Sequence, residues 1–261
     1  MKEAFMSKLY VVGFGPGGYD HMTHKAAQAI SGADVVMGYT TYIEMLKEIF
    51  PEKHYVSTPM RQEVKRCEMA LSAAAGGQNV AMVSSGDSGI YGMAGVILQL
   101  SEAYPQDIEI EIIPGVTAAS AAASILGAPL MHDFAVISLS DLMTPLDKIM
   151  KRVEYAAMAD FVICLYNPKS KKRTEYIAMA AELIARYQGP KLCAGIVRNA
   201  GRPDESHELT TVGALKDADI DMFSIVIIGN SQTYFKDGKM ITPRGYDCGK
   251  DGRDGTVSTV S

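Results

Sequence analysis

Short apolar runs alternate with helical patterns along almost the whole of this chain. Each run has the length and composition of a β-strand, and many of the intervening segments have the apolar spacing of a helix. Such alternation is typical of βαβ units and predicts an α/β fold with a largely parallel sheet. The predicted strands are Leu9–Val12, Asp34–Met37, His54–Ser57, Val80–Val83, Ile108–Ile113, Phe134–Leu139, Phe161–Leu165, Leu192–Val197, Glu208–Val212 and Phe223–Ile228. The predicted helices are Thr23–Ser31, Gln62–Ala75, Met93–Leu100, Val116–Leu126, Leu146–Ala159 and Thr174–Tyr187.

The strands fall into two sets of similar size, which predicts two α/β domains. A chain of 261 residues is long enough to bury a core in each of them. We place the joint at Gly127-Ala128-Pro129, because a glycine followed by a proline ends the helix before it. The predicted domains are residues 8–127 and 128–246, and residues 247–261 are predicted to be a mobile tail.

Composition and charge exclude several classes of protein. No apolar run approaches the ~18–20 residues of a membrane helix. Residues 1–8 lack the apolar core of a signal peptide, so we expect a cytoplasmic protein without a membrane partner. The net charge of −5 argues against a nucleic-acid partner. The four cysteines (Cys67, Cys164, Cys193 and Cys248) are far apart, and their spacing indicates no protein-bound metal.

A glycine-rich segment with one carboxylate, Ser84–Met93, follows the fourth predicted strand. Its glycines allow the main chain to approach a ligand closely, because no Cβ is in the way. Asp87 in the middle of the segment would repel a phosphate, whereas a carboxylate suits a hydroxyl, an amine or a sulfonium-bearing ligand. The segment therefore favours a cofactor such as S-adenosylmethionine over a nucleotide phosphate.

A second glycine-rich segment follows the first strand and offers an alternative. Gly13, Gly15 and Gly18 have the GxGxxG spacing of a dinucleotide fingerprint, as in an NAD-dependent oxidoreductase or a nucleotide-binding module. The context does not fit, because the helical pattern begins only near Thr23. In addition, Met37-Gly38-Tyr39 offers no acidic residue for a ribose hydroxyl.

Polar residues also follow other predicted strands. Thr117 and Ala118 come after the fifth strand, at the edge where open α/β sheets bind ligands. The basic cluster Lys169–Arg173 would oppose the dipole of a helix at its N-terminus, which favours an anionic partner, although a solvated charge run explains it equally well. His132 is a candidate general base, but no nucleophile partner and no GxSxG segment accompany it.

Several segments together resemble the class III, tetrapyrrole-methylase family of S-adenosylmethionine-dependent methyltransferases. The resemblance extends from Leu9 to about Tyr246, although Ser88 stands where many members carry a proline. It implies two αβα domains with the cofactor in the cleft between them, and a homodimer. The segments are GFGPG, SSGDSGIYGMAG, IPGVTAASAAASILGAPLMHDF, SLSDLMTP, DFVICLYNPKSKKR and ITPRGY.

The resemblance also implies roles for individual residues. The residues expected to bind S-adenosylmethionine are Pro16, Gly86, Asp87, Ile90, Thr117, Ala118 and Tyr166. An anionic tetrapyrrole substrate needs basic partners for its carboxylates, and the candidates are Lys169, Lys171, Arg173, Arg198 and Arg202. The candidates for proton transfer in catalysis are His132, Asp133 and Asp141.

The segments SLSDLMTP and LYNPKSKKR are the most specific part of the resemblance. They imply transfer of a methyl group to C17 of the macrocycle, coupled to ring contraction, in cobalamin biosynthesis. The expected substrate is cobalt-factor III and the expected product cobalt-precorrin-4, so any metal arrives with the substrate. The alternatives are metal-free precorrin-3B, and a class III methylase with a macromolecular substrate.

Overall fold

A computed structural model describes residues 7–104, 108–170 and 172–247. The chain separates into two compact units, with a division between Ala121 and Ala122. The short segment Gly201–Pro203 belongs to the first unit although it is distant in sequence. Of the predicted tail, only Asp247 is among the described residues.

The first unit is built on a five-stranded sheet with the order β3-β2-β4-β1-β5. Every pair of neighbouring strands in it is parallel, as predicted. The strands are β1 (Lys8–Gly13), β2 (Val35–Tyr39), β3 (Tyr55–Thr58), β4 (Val80–Ser84) and β5 (Glu109–Ile113). The helices are α1 (His24–Gly32), α2 (Thr40–Ile49), α3 (Glu63–Ala75), α4 (Ala94–Ser101) and α5 (Ala118–Leu126), the last of which crosses the division.

Apolar residues cover both faces of this sheet. Leu9 and Val11 of β1 pack into one cluster with residues of α3 and α4, while Val12 packs into a second cluster with residues of α1 and α2. Strands buried on both faces have continuous apolar sequences, which explains why the central strands β2 and β4 were predictable. Helix α2 was missed, because it follows Tyr39 directly with no turn residue between strand and helix.

The second unit contains a five-stranded sheet with the order β10-β9-β11-β8-β7. Helices α6 (Leu146–Met158) and α7 (Tyr176–Gln188) pack on it through one large apolar cluster. Its strands are β7 (Phe134–Ser138), β8 (Val162–Tyr166), β9 (Cys193–Arg198), β10 (Ser206–Thr211) and β11 (Ser224–Ile228). A small separate sheet contains β6 (Gly127–Ala128), β12 (Tyr234–Lys236) and β13 (Lys239–Ile241).

The prediction of a largely parallel sheet is wrong for this second unit. Only β7 and β8 are parallel, and β8, β11, β9 and β10 are paired antiparallel. The reason is the length of the connections: α6 joins β7 to β8, whereas a short loop joins β9 to β10. A parallel pair needs a crossover of a dozen or more residues, so the loop dictates an antiparallel pair.

Candidate active site

Loops from β1 and β4 meet at the carboxyl end of the first sheet. The N–H of Gly15 donates to the carbonyl of Gly86 at 3.0 Å, and the N–H of Gly86 donates to the carbonyl of Gly15 at 2.7 Å. Both glycines have positive φ, at +84° and +70°, a conformation that favours glycine over other residues. The two loops are therefore held together mainly by main-chain hydrogen bonds, to which Ser85 adds one from its hydroxyl to the carbonyl of Gly15 at 3.4 Å.

The loop after β5 packs equally closely on this pair. A Cβ placed on Gly13 would lie 2.7 Å from the carbonyl oxygen of Gly86 and 2.8 Å from the nitrogen of Gly115. A Cβ on Gly115 would collide with the main chain of Gly13 and of Gly86. Three segments of the main chain thus pack against one another at the sheet edge and leave no space for a side chain. We call Gly13, Gly86 and Gly115 the glycine stack.

Asp87 organises the loop after β4. Its Oδ1 accepts hydrogen bonds from the N–H of Gly89 at 2.8 Å and of Ile90 at 3.1 Å, and its Oδ2 accepts one from the N–H of Gly115 at 3.0 Å. Both carboxylate oxygens are therefore already bound to the protein. The sequence interpreted Asp87 as a partner for a hydroxyl or an amine of a ligand. It did not predict these hydrogen bonds within the protein, because main-chain donors leave no signature in a sequence.

Other predicted cofactor residues of the first unit lie beside the glycine stack. A Cβ on Gly86 would lie 3.8 Å from the nitrogen of Ala118 and 3.9 Å from the Cα of Thr117. Buried Ser88 donates its hydroxyl to the carbonyl of Ile113 at 3.1 Å, which gives the residue at this departure from the family pattern a structural role. Gly86, Asp87, Thr117 and Ala118 are thus brought together at one sheet edge.

The loop after β1 is held by the segment Gly201–Pro203. Arg202 donates from Nε to the carbonyl of Pro16 at 3.3 Å, and the N–H of Gly18 donates to the carbonyl of Gly201 at 3.3 Å. Helix α1 begins only at His24, with Thr23 as its N-cap. Gly15 is therefore not at a helix N-terminus, which confirms the argument against a dinucleotide site.

A second group of predicted residues lies at the carboxyl ends of β7 and β8 in the second unit. Arg173 donates from Nη1 to the carbonyls of Leu139 at 2.9 Å and of Asn167 at 3.4 Å, and its Nε lies 3.6 Å from Oδ1 of Asp141. Tyr176 donates its hydroxyl to Oδ2 of Asp141 at 2.7 Å, a hydrogen bond that raises the pKa of the tyrosine. Tyr166, the seventh predicted cofactor residue, ends β8 at the same edge.

The basic cluster differs from its sequence interpretation. Helix α7 begins at Tyr176 with Glu175 at the N-cap, so the cations lie in a turn before the helix rather than in its first turn. Ser170 and Arg173 close that turn through mutual main-chain hydrogen bonds. Lys169 is half-buried, and no carboxylate of the described residues lies within ion-pairing distance of it. Lys171 lies outside the described residues.

Arg198 is already paired within its own unit. Its Nε donates to the carbonyl of Asp219 at 2.7 Å and lies 3.8 Å from that residue's carboxylate, while its Nη2 lies 3.5 Å from Oε2 of Glu208. These two carboxylates neutralise the guanidinium, so Arg198 is a weaker candidate for a substrate carboxylate than Lys169.

The three proton-transfer candidates do not lie together. His132 and Asp133 precede β7, whereas Asp141 follows it. Nδ1 of His132 lies 4.0 Å from Asp133, whose side chain is 79% exposed. A strand of five residues spans ~16 Å, so the pair is at the opposite edge of the sheet from Tyr166, Arg173 and Asp141. This separation argues against a joint catalytic role for the three residues.

Two further residues of the first unit were missed by the sequence interpretation. Arg66 lies in α3 and is only 5% exposed, and Tyr42 lies in the unpredicted helix α2. Arg66 precedes the buried positions Cys67 and Ala70 on the face of α3 that packs on the sheet. A charged residue on an apolar helix face was the signal available in the sequence.

Comparisons with known proteins agree with the resemblance found in the sequence. Residues 8–216 match the Tetrapyrrole (Corrin/Porphyrin) Methylases. A probable cobalt-factor III C(17)-methyltransferase of Salmonella typhimurium is 49% identical over 238 residues, covering 91% of this chain and 99% of the relative. A precorrin-3B C(17)-methyltransferase of Sinorhizobium sp is 40% identical, covering 91% of this chain and 96% of the relative. The crystal structure of the methyltransferase CobJ superposes with a TM-score of 0.84 at 34% identity, covering 91% of this chain and all of that one.

Fold and site define an α/β protein whose candidate ligand-binding edge is built largely from main chain. The chain belongs to the tetrapyrrole (corrin/porphyrin) methylase family, as the sequence resemblance predicted. This family uses S-adenosylmethionine. Among the described residues, no three His, Cys, Asp or Glu side chains are grouped so as to hold a metal ion, and no helix is long and apolar enough to cross a membrane.

Proposed function

We propose that this protein methylates C17 of cobalt-factor III with S-adenosylmethionine as methyl donor, coupled to ring contraction, in cobalamin biosynthesis. The observation that carries the proposal is 49% identity over nearly the full length of a relative named for this reaction. The relative named for metal-free precorrin-3B is 40% identical, so the identities favour the cobalt-bound substrate.

The geometry of the first unit suits a cofactor without phosphates. The candidate edge offers glycine main chain and a carboxylate, and the first helix begins too late to present its N-terminus to an anion. Gly86, Thr117 and Ala118 provide small, close-lying main-chain surface that an adenosyl or methionyl group can contact. Asp87 would hold these loops in one arrangement before the cofactor arrives.

S-adenosylmethionine supplies an electrophilic methyl group bonded to a positively charged sulfur. In the transfer a bond forms between the methyl carbon and C17 while the bond from methyl to sulfur breaks, and the sulfur keeps that electron pair. The protein's contribution to such a step is alignment and exclusion of water, which rigid loops provide. Lys169 is our first candidate for a substrate carboxylate, and Asp141 is our candidate for proton transfer during contraction.

The test is an anaerobic incubation of the protein with S-adenosylmethionine and either cobalt-factor III or precorrin-3B, followed by mass and absorbance spectra. We expect a methylated, ring-contracted product from the cobalt-bound substrate. If only precorrin-3B gives product, the proposed substrate is wrong and the proposed reaction type stands. Turnover of neither, with S-adenosylhomocysteine still bound, would overturn the tetrapyrrole substrate in favour of another methyl acceptor.

A further inference from the structure

Arg66 is a buried cation at the carboxyl end of β3. Its Nη1 donates to the hydroxyl of Thr58 at 2.6 Å and to the carbonyl of Thr58 at 3.2 Å. The residue is only 5% exposed, and burial lowers its pKa. A guanidinium removed from water in this way needs anionic or polar partners to offset the lost hydration.

Within the described part of the chain, the hydrogen bonds of the Arg66 guanidinium all come from Nη1. The nearest carboxylate is Glu63, whose Oε1 lies 4.0 Å from Nη2, beyond hydrogen-bonding distance. Nε and Nη2 of Arg66 have no hydrogen-bond partner among these residues, and neither is completely sealed from solvent. One edge of the planar group therefore keeps N–H donors that no described residue uses.

Tyr42 provides a second polar group near Arg66, because Thr40 at the start of α2 donates its hydroxyl at 3.2 Å to the same carbonyl of Thr58 that Arg66 contacts. Its ring makes edge-on contacts with Tyr39, with centroids 5.2 Å apart, and with Phe14, with centroids 5.8 Å apart. Burial raises the pKa of Tyr42, while the positive charges of Arg202 and Arg66 act in the opposite direction. The hydroxyl of Tyr42 has no hydrogen-bond partner in the described ranges.

We propose that Arg66 and Tyr42 form a carboxylate-binding subsite at the carboxyl ends of β2 and β3. A guanidinium edge binds a carboxylate through two parallel hydrogen bonds, and the tyrosine hydroxyl can donate a third. Neither Arg66 nor Tyr42 is among the substrate-binding residues predicted from the sequence. The inference rests on the proposed function, which supplies a substrate with several carboxylates.

Two reactants of the proposed reaction carry a carboxylate: the tetrapyrrole, on its ring substituents, and S-adenosylmethionine, at its amino-acid end. The sheet order places β3 two strands from β4, or ~10 Å from the loop that holds Asp87. The subsite is therefore displaced from the glycine stack along the sheet edge. We assign the ring carboxylate as the ligand, because the tetrapyrrole carries several carboxylates and the cofactor only one.

The experiment is an equilibrium titration of the protein with cobalt-factor III and, separately, with S-adenosylhomocysteine. For Arg66→Gln we expect the Kd of the tetrapyrrole to rise roughly tenfold to a hundredfold, because a charge-assisted pair of hydrogen bonds is lost. Tyr42→Phe removes one neutral hydrogen-bond donor and should raise the Kd of the tetrapyrrole several-fold. Lys65→Gln removes the same charge from the adjacent, exposed position of α3 and should leave both Kd values unchanged.

A tetrapyrrole with esterified carboxylates sharpens the test, because wild type and Arg66→Gln should bind it equally. A rise in the Kd of S-adenosylhomocysteine alone would assign the subsite to the cofactor and overturn the ring-carboxylate ligand. Unchanged binding of both ligands by a folded Arg66→Gln variant would overturn the subsite. If that variant does not fold, unchanged tetrapyrrole binding by Tyr42→Phe would overturn it. A wild-type protein that binds S-adenosylhomocysteine but no tetrapyrrole would overturn the proposed function first, and the subsite with it.

Discussion

Oδ2 of Asp87 accepts a hydrogen bond of 3.0 Å from the main-chain N–H of Gly115. The two residues are distant in sequence and belong to the loops after β4 and β5. Through its other oxygen the same carboxylate also accepts N–H groups of its own loop. One side chain therefore fixes two loops relative to each other at the edge where the cofactor is proposed to bind.

Replacing Asp87 by Asn tests this relationship. The amide has one acceptor oxygen instead of two, so either Gly115 or the pair Gly89 and Ile90 loses its acceptor. We expect a loss of about 1–3 kcal/mol in the free energy of unfolding of the protein without ligand, and weaker binding of S-adenosylhomocysteine. Urea denaturation and calorimetric titration measure the two effects. Weaker binding at unchanged stability would instead make Asp87 a direct ligand of the cofactor.

Replacing Gly115 by Ala tests the glycine stack. The added methyl group would overlap the main chain of Gly13 and Gly86, so we expect destabilisation of about 1–3 kcal/mol or more and loss of S-adenosylhomocysteine binding. Gly95→Ala is the matched control, because its Cβ would meet nothing within 4 Å and it lies inside α4. That control should leave the free energy of unfolding unchanged or raise it by less than about 0.5 kcal/mol, because Gly95 lies in the first turn of α4 and the full penalty of glycine applies in a helix interior. Equal thermal shifts in the two variants would contradict the close packing.

The sequence predicted the positions of the ten main strands, most readily where a strand is a buried, continuous apolar run, as in β4 and β11. It did not predict the strand direction in the second unit, which depends on the length of the β9–β10 loop rather than on any pattern within the strands. It singled out Asp87 but not its hydrogen bonds, since the partners of that carboxylate are main-chain groups. Arg66 was missed because a single arginine in an amphipathic helix is ordinarily assigned to the solvated face.

Arg173 should position the ends of β7 and β8 rather than simply attract the substrate. Arg173→Lys keeps the charge but cannot reach the carbonyls of Leu139 and Asn167 and the carboxylate of Asp141 together. We expect kcat/KM to fall roughly tenfold to a hundredfold, as misplacement of the neighbouring groups would cause. Lys172→Gln, at an exposed adjacent position, should change it little. A full loss in Lys172→Gln and none in Arg173→Lys would indicate charge attraction instead.

Substitutions of Asp141 and of His132 should differ in their effect on kcat. Asp141 lies with Arg173 and Tyr176 at one sheet edge, and His132 lies at the other. We expect Asp141→Asn to lower kcat by about 10²-fold or more if it transfers a proton, whereas His132→Ala should leave kcat within twofold of wild type. Single-turnover rates with cobalt-factor III distinguish the two. A large loss in His132→Ala would return the histidine to the catalytic set.

The buried thiols of Cys67 and Cys164 should make the fold sensitive to alkali. Burial raises the pKa of Cys67 to about 11 and that of Cys164 to about 12, from an ordinary value of 9.0. Between pH 9 and 11 the unfolded chain loses thiol protons that the folded chain keeps, so the free energy of unfolding falls as pH rises. Urea midpoints across this range measure the slope. Cys67→Ala should be less stable at neutral pH but show a shallower alkaline decline, and an unchanged slope would contradict the assignment.

The glycine stack has a consequence for how proteins with this edge can diversify. Main chain offers no side chain to exchange, so point mutation has no gradual route to a different cofactor at the edge where S-adenosylmethionine is proposed to bind. The side chain of Lys169, by contrast, can be replaced without rearranging these three loops. New methyl acceptors are therefore accessible to evolution and to engineering by changing such side chains, while the donor stays the same.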